Sequence, residues 1–128
     1  MMPAYEVKEV FEYGINGNQI VIHILGDFWV DDRWDEIEKM ANDPRVTPGM
    51  VITCLGASEN LVSIPDAKRF VSMIASMKPR TMCAVVYGEI AKENMKVYQP
   101  LLRLHGIDFW YYDCLDDMFN FVREKELG

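Results

Sequence analysis

The polar residues best placed for chemistry lie in one short turn of the sequence. Ser58, Asn60 and Ser63 follow the apolar run at 51–55 and precede an amphipathic segment. In α/β proteins, the loop that leaves the carboxyl end of a strand is where binding and catalytic groups usually collect. A serine there can accept a phosphoryl group or contact a partner. This turn is therefore the first candidate for a functional surface.

A simpler structural role is available to each of these residues. Ser63 and Asp66 form an S-x-x-D pattern that resembles a capping box, and an N-terminal cap alone stabilises a helix by about 1 kcal/mol. Serine and asparagine are also the residues that an ordinary turn requires. The sequence therefore favours Ser63 as a helix cap first, and leaves Ser58 and Asn60 as the better candidates for contact with a partner.

No catalytic or metal-binding pattern is visible elsewhere. His23 lies in an apolar run and is expected in the core, and an enzyme would need folding to bring Ser58 or Cys54 against it. His105 lies at a predicted helix end, where a cation suits the helix dipole. The three cysteines are widely spaced and show neither zinc nor redox spacing. The sequence predicts no catalytic residue, no metal and no cofactor.

Aromatic and methionine side chains support an alternative function. Residues 109–112 are all aromatic, and alternation along a strand prevents all of them from facing one core. Trp29, Tyr87 and Trp110 are the candidates to line a pocket between the sheet and the helices. The alternative is therefore a carrier or sensor of a small apolar, lipid-like ligand.

Composition limits the other classes of partner. Thirteen basic and 20 acidic residues give a net charge of −7, which argues against nucleic acid as a partner. No apolar run is long enough to span a bilayer, and the first residues lack a signal-peptide pattern, so a cytoplasmic location without membrane insertion is expected. The 128 residues suit one domain, 1–128 with a core of about 5–125. An acidic, aromatic-rich domain is also compatible with a homodimer.

The first half of the chain predicts a hairpin. Residues 5–13 alternate between apolar and polar, Asn16 and Gly17 suit a tight turn, and 19–26 forms the returning strand. A turn at Asn16 and Gly17 pairs Tyr13 with Ile20, and Phe11 with Ile22. The returning strand is apolar on both sides, so it is expected inside the sheet and covered above and below.

Three strand–helix units follow the hairpin. Strands are predicted at 50–55, 82–88 and 107–112, and helices at 31–42, 64–77, 90–104 and 115–125. Pro100 is expected to kink or break the third helix. The last helix is expected to bury Leu115, Met118, Phe119 and Val122. The predicted fold is α/β, β-β-α-β-α-β-α-β-α, with an antiparallel leading hairpin and parallel strands covered by helices.

Four segments carry a resemblance to a known family. They are 42–45 with 48–51, then 84–88, 106–109 and 115–122. With the order of elements, they resemble the STAS domains (sulphate transporter and anti-sigma-factor antagonist), especially the SpoIIAA-like branch of small single-domain bacterial proteins. The resemblance covers roughly residues 5–125 and rests on structural motifs.

This resemblance implies a non-catalytic regulatory or adaptor domain that binds another protein. In the anti-sigma antagonists, a serine at the start of the helix after the third strand is reversibly phosphorylated, which switches partner binding. The usual acidic–Ser–Ser/Thr–Gly signature is absent here, where 56–60 reads GASEN. The resemblance therefore implies protein binding by the loop 56–63, while this departure argues against the phosphorylation switch.

Overall fold

The computed structural model describes residues 10–25, 31–56 and 61–127. Its elements are β1 Val10–Asn16, β2 Gln19–Leu25, α1 Asp31–Ala41, β3 Val51–Leu55, α2 Ile64–Ser76, β4 Thr81–Val85, α3 Glu89–Leu104, β5 Asp108–Tyr112 and α4 Leu115–Leu127. The predicted α/β class and the predicted order of elements are confirmed. Within these ranges no helix is both long and apolar enough to cross a membrane.

The five strands form one sheet in the order of the chain, β1-β2-β3-β4-β5. β1 pairs antiparallel with β2, and the remaining neighbours are parallel. Because every parallel crossover is right-handed and advances in the same direction, the connecting helices α1, α2 and α3 must lie on one face. Among the described helices only α4, which follows the last strand, is free to pack on the other face, and it contacts β4 and β5 there.

The two faces therefore bury cores of very different size. The main core lies under α1–α3 and includes the fully buried side chains of Ile22, Ile52 and Phe109. Burial of each large apolar side chain contributes roughly 1.5–3 kcal/mol. The minor core lies under α4 and consists of four buried residues, Cys83, Val85, Met118 and Val122.

The hairpin forms, but its turn lies one residue later than predicted. Tyr13 pairs with Ile22 and Phe11 with Ile24, so the predicted register was wrong by two residues. The turn residues are Gly17, with φ of +60°, and Asn18, whose φ is not positive. Positive φ at the first central position alone is the pattern of a type II′ turn, which prefers glycine there. A shift of two residues keeps each side chain on its predicted face.

The prediction that both faces of β2 are covered was also wrong. β2 does lie inside the sheet, but His23 is exposed and Val21 is only partly buried. Both point to the face that carries α4, and α4 covers β4 and β5 instead. Within the described part of the chain, no helix packs on the half of this face over β1 and β2.

α4 is less buried than the sequence predicted. Met118 and Val122 are buried as expected, but the Leu115 side chain is 42% exposed and the Phe119 side chain 52%. A helix that packs on a sheet without a neighbouring helix buries only the side chains that face the sheet. The apolar side chains at the edges of its stripe, such as Leu115 and Phe119, therefore stay exposed.

α3 continues through Pro100, so the predicted break does not occur. Pro100 is exposed, and water can therefore satisfy the backbone carbonyl that a proline leaves without its helical donor. The predicted end of this helix is confirmed, since His105 is its C-terminal cap and Gly106 follows with positive φ.

A charged cluster holds the segment between α1 and β3 against the hairpin. The Asp43 carboxylate accepts hydrogen bonds from the Tyr13 hydroxyl at 3.0 Å and from the Arg45 backbone N–H at 2.9 Å. The Arg45 guanidinium donates to both carboxylate oxygens of Asp43, at 3.0 and 2.9 Å. The guanidinium, with these other donors, holds the pKa of Asp43 well below its ordinary value of 3.8.

This cluster predicts a specific loss of stability in acid. A carboxyl group with a lowered pKa in the folded state stabilises the protein above its unfolded pKa, and this contribution is lost as the pH falls toward the folded pKa. We expect Asp43→Asn to lower the urea midpoint at neutral pH. The difference in urea midpoint between Asp43→Asn and the native protein should narrow progressively as the pH falls below about 4, the unfolded pKa of an aspartate.

Asp35→Asn is the control variant. It removes an exposed carboxylate from α1 and changes the net charge of the protein by the same amount as Asp43→Asn. Urea titrations of the three proteins across this pH range provide the comparison. A gap between the native protein and Asp43→Asn that stays constant into acid would contradict the role given to this carboxylate.

Candidate functional site

The loops that precede α2 and α3 lie at one edge of the sheet. β2 to β5 are parallel, so their carboxyl ends share this edge. Gly56 follows β3, residues 61–63 precede α2, residues 86–88 join β4 to α3, and the two helices contact each other. In open α/β sheets this edge is the usual place for a site.

Gly56 begins the first loop in a conformation that only glycine adopts easily. Its φ is +86°, and its N–H donates to the Val85 carbonyl at 2.9 Å. A Cβ at this position would collide with the carbonyl oxygen of Ile24 on the neighbouring strand. The missing side chain therefore lets the backbone of Gly56 pack closely between β2 and β4.

Ser63 is the N-terminal cap of α2, as its spacing predicted. Its hydroxyl oxygen accepts a hydrogen bond from the Asp66 backbone N–H at 3.2 Å, and Pro65 lies in the first turn. The side chain is exposed at the same time. Ser63 thus has a structural role as a helix cap through its hydroxyl oxygen, and its side chain also lies at the surface.

Asn94 fixes the end of the loop to α3, and the sequence analysis missed it. Its side chain is buried, and its Oδ1 accepts a hydrogen bond from the Val62 backbone N–H at 2.9 Å. Asn94 lies one turn after Ile90 in α3, so this bond places Leu61 beside the first turn of that helix. A buried polar residue inside an apolar helix stripe is the only signal that could have identified it.

Four exposed apolar side chains lie on the loops and helix starts at this edge. Leu61 is 68% exposed and Tyr87 is 62% exposed, and Ile64 and Ile90 are exposed in the first turns of their helices. We call Leu61, Ile64, Tyr87 and Ile90 the carboxyl-edge patch. Single exposed apolar residues are ordinary, but several on adjacent loops and helix starts are typical of an interaction surface.

The other predicted contact residues cannot be placed beside this patch. Ser58 and Asn60 lie outside the described residues, as does Trp29. Of the three predicted positions in the loop, the structure therefore locates only Ser63, which begins the helix that carries Ile64.

Tyr87 and Trp110, two of the predicted pocket residues, are not brought together. Trp110 pairs with Cys83 in the sheet. Tyr87 lies four residues after Cys83 in the sequence, which is about 13 Å at strand spacing. Both side chains are exposed. The Trp110 indole donates to Asp108 at 2.8 Å, and its ring lies 5.1 Å from the Arg103 guanidinium carbon.

A cysteine–histidine pair does not form at this edge. Cys54 shares a face of the sheet with Ile22, whereas the neighbouring His23 points to the opposite face. Burial raises the pKa of the Cys54 thiol to about 12, so the thiol stays protonated at neutral pH. Among the residues that the structure describes, no group of three or more potential ligands is arranged to hold a metal ion.

Comparisons with protein-family models, with curated proteins and with solved structures return no match to this chain. The resemblance to STAS domains therefore stays a prediction. What can be said of the site rests on its own geometry.

The packing of Gly56 predicts an unequal response of two glycines to the same substitution. Gly49 also has positive φ, +89°, but a Cβ there would meet no atom within 4 Å. Gly49→Ala should lower the free energy of unfolding by about 1 kcal/mol, from backbone strain alone. Gly56→Ala should cost about 1–3 kcal/mol more, because a Cβ must displace the β2 backbone. Chemical denaturation measures both, and equal losses would contradict the close packing of this loop.

Proposed function

We propose that this protein is a cytoplasmic, non-catalytic regulatory or adaptor domain of STAS-like type, which binds another protein through the carboxyl-edge patch. The observation that carries the proposal is the exposure of four apolar side chains on two adjacent loops and helix starts. The resemblance to STAS domains supports the same edge, since it assigns partner binding to the loop after the third strand.

The chemistry of the patch suits a protein partner. The patch consists of two isoleucines, a leucine and a tyrosine, and tyrosine is among the residues that dominate the energy of protein interfaces. Tyr87 offers an apolar ring and a hydroxyl, so it can be buried while it keeps a hydrogen bond. Burial of apolar area at roughly 25 cal/mol per Å² would supply most of the affinity.

The elements under the patch hold it in a defined shape. Gly56 is packed between two strands, Asn94 holds the backbone at Val62, and Ser63 caps the helix that begins with Ile64. A surface already ordered in its binding conformation loses less entropy on association. These contacts therefore support a binding role for the edge beyond the exposure of its side chains.

Removal of the patch should abolish capture of the partner. With the tagged native protein as bait in an extract of its source cells, we expect Leu61→Ser combined with Tyr87→Ser to reduce recovery of the main captured protein about tenfold or more. Quantitative mass spectrometry of the eluates measures this ratio. Because the two substituted side chains are exposed, the double variant should keep the thermal midpoint of the native protein.

Leu104→Ser is the matched control, because Leu104 is an exposed leucine at the opposite end of α3. Ser63→Asp tests the loop separately: aspartate caps a helix as well as serine does, so any change in capture reports the added charge. Unchanged capture by the double variant, or an equal loss with Leu104→Ser, would refute binding at this edge. If Ser58→Asp, Asn60→Ala and Ser63→Asp also leave capture unchanged, the loop 56–63 is not part of the surface.

A further inference from the structure

A groove separates α4 from the open half of the sheet. Val21, on β2, and Leu55, at the end of β3, form its apolar floor, and Phe119 and Val122 form its wall on α4. Its cavity volume is about 270 Å³. The groove lies on the face opposite α1–α3, and neither the carboxyl-edge patch nor the proposed function uses it.

The groove is polar at one end and apolar at the other. Gln19 begins β2, and Arg123 lies one turn after Phe119, so both lie toward the amino ends of the strands. Leu55 and Phe119 lie toward the carboxyl ends. From the level of Gln19 to Leu55 the floor extends about 13 Å at strand spacing. This gradient matches a molecule with a polar head and an apolar chain.

The charge on the groove determines whether the polar head of such a ligand is an anion or a cation. Its described lining contains one cation, Arg123, and no carboxylate. Arg123 is exposed and makes no ion pair with another described residue. A guanidinium donates paired hydrogen bonds to the two oxygens of a carboxylate. In a protein whose net charge is −7, this single cation beside an apolar floor is a local preference for an anion.

We propose that the groove between α4 and the β2–β3 floor binds a small amphipathic carboxylate, with its carboxylate on Arg123 and its chain between Phe119 and Leu55. At roughly 30 Å³ for each water-sized group, the cavity of about 270 Å³ holds about nine non-hydrogen atoms, close to the size of octanoate with its eight carbons and two oxygens. The cavity is smaller than a site for a drug-sized ligand, so the chain of the ligand must be short. This inference goes beyond the proposed function and does not rest on it.

The test titrates octanoate into methyl-labelled protein and follows the spectrum by NMR. The methyl groups of Val21 and Leu55 should shift saturably, while those of Val71, buried in the main core, should not. Octanol has the chain without the charge and should bind about tenfold more weakly or worse. Octylammonium should not bind in the groove, because its charge matches that of Arg123.

Two arginine variants test whether the carboxylate of octanoate contributes to binding through Arg123. Arg123→Met keeps an apolar side chain at the groove and should weaken octanoate binding about tenfold. Arg103→Met removes an exposed arginine from α3 and should leave the affinity unchanged. Equal affinity for octanol and octanoate, native affinity in Arg123→Met, shifts confined to other methyl groups, or no saturable shift at all would each overturn the proposal.

Discussion

The handedness of the strand–helix–strand connections is the constraint on which the rest of the structure depends. With the strands in chain order and every crossover right-handed, α1, α2 and α3 are confined to one face of the sheet. The same constraint gathers the beginnings of these helices, and the loops that feed them, at one edge. Of the helices that the structure describes, one, α4, remains for the opposite face, and it cannot cover five strands. Both surfaces proposed for binding follow from this arrangement.

Periodicity predicted the elements well but did not show what covers them. The inner face of α2 was read correctly, since Ala67, Phe70, Val71 and Ile74 are all buried. The same pattern wrongly predicted that Leu115 and Phe119 of α4 are buried. An apolar stripe does not show how many neighbouring elements pack against a helix. His23 was misplaced for the same reason: the strand pattern indicated two apolar faces, and only one is covered. The turn at Gly17 was misplaced because Asn16–Gly17 and Gly17–Asn18 both offer turn chemistry.

The sequence indicated the edge of the sheet at which the candidate site lies, but not most of the residues that form it. The S-x-x-D spacing correctly identified Ser63 as a cap, because a cap depends on neighbours in sequence. Leu61, Ile64 and Ile90 were not predicted, since an apolar residue in a first helical turn shows no sign that it projects beyond the sheet. Asn94 was missed because its partner, the Val62 N–H, is 32 positions away in the chain. Contacts of this kind depend on which helices become neighbours, and only the fold decides that.

Site-specific photo-crosslinking in the source cells tests most directly whether the domain binds a protein at the edge where α2 and α3 begin. A photoreactive phenylalanine derivative placed at Tyr87 reports contacts at that edge, and one placed at Leu104 reports the opposite end of α3. Binding at this edge predicts a discrete crosslinked product of higher mass from position 87 and none of comparable yield from position 104. Products of equal yield from both positions, or a product from position 104 alone, would contradict it.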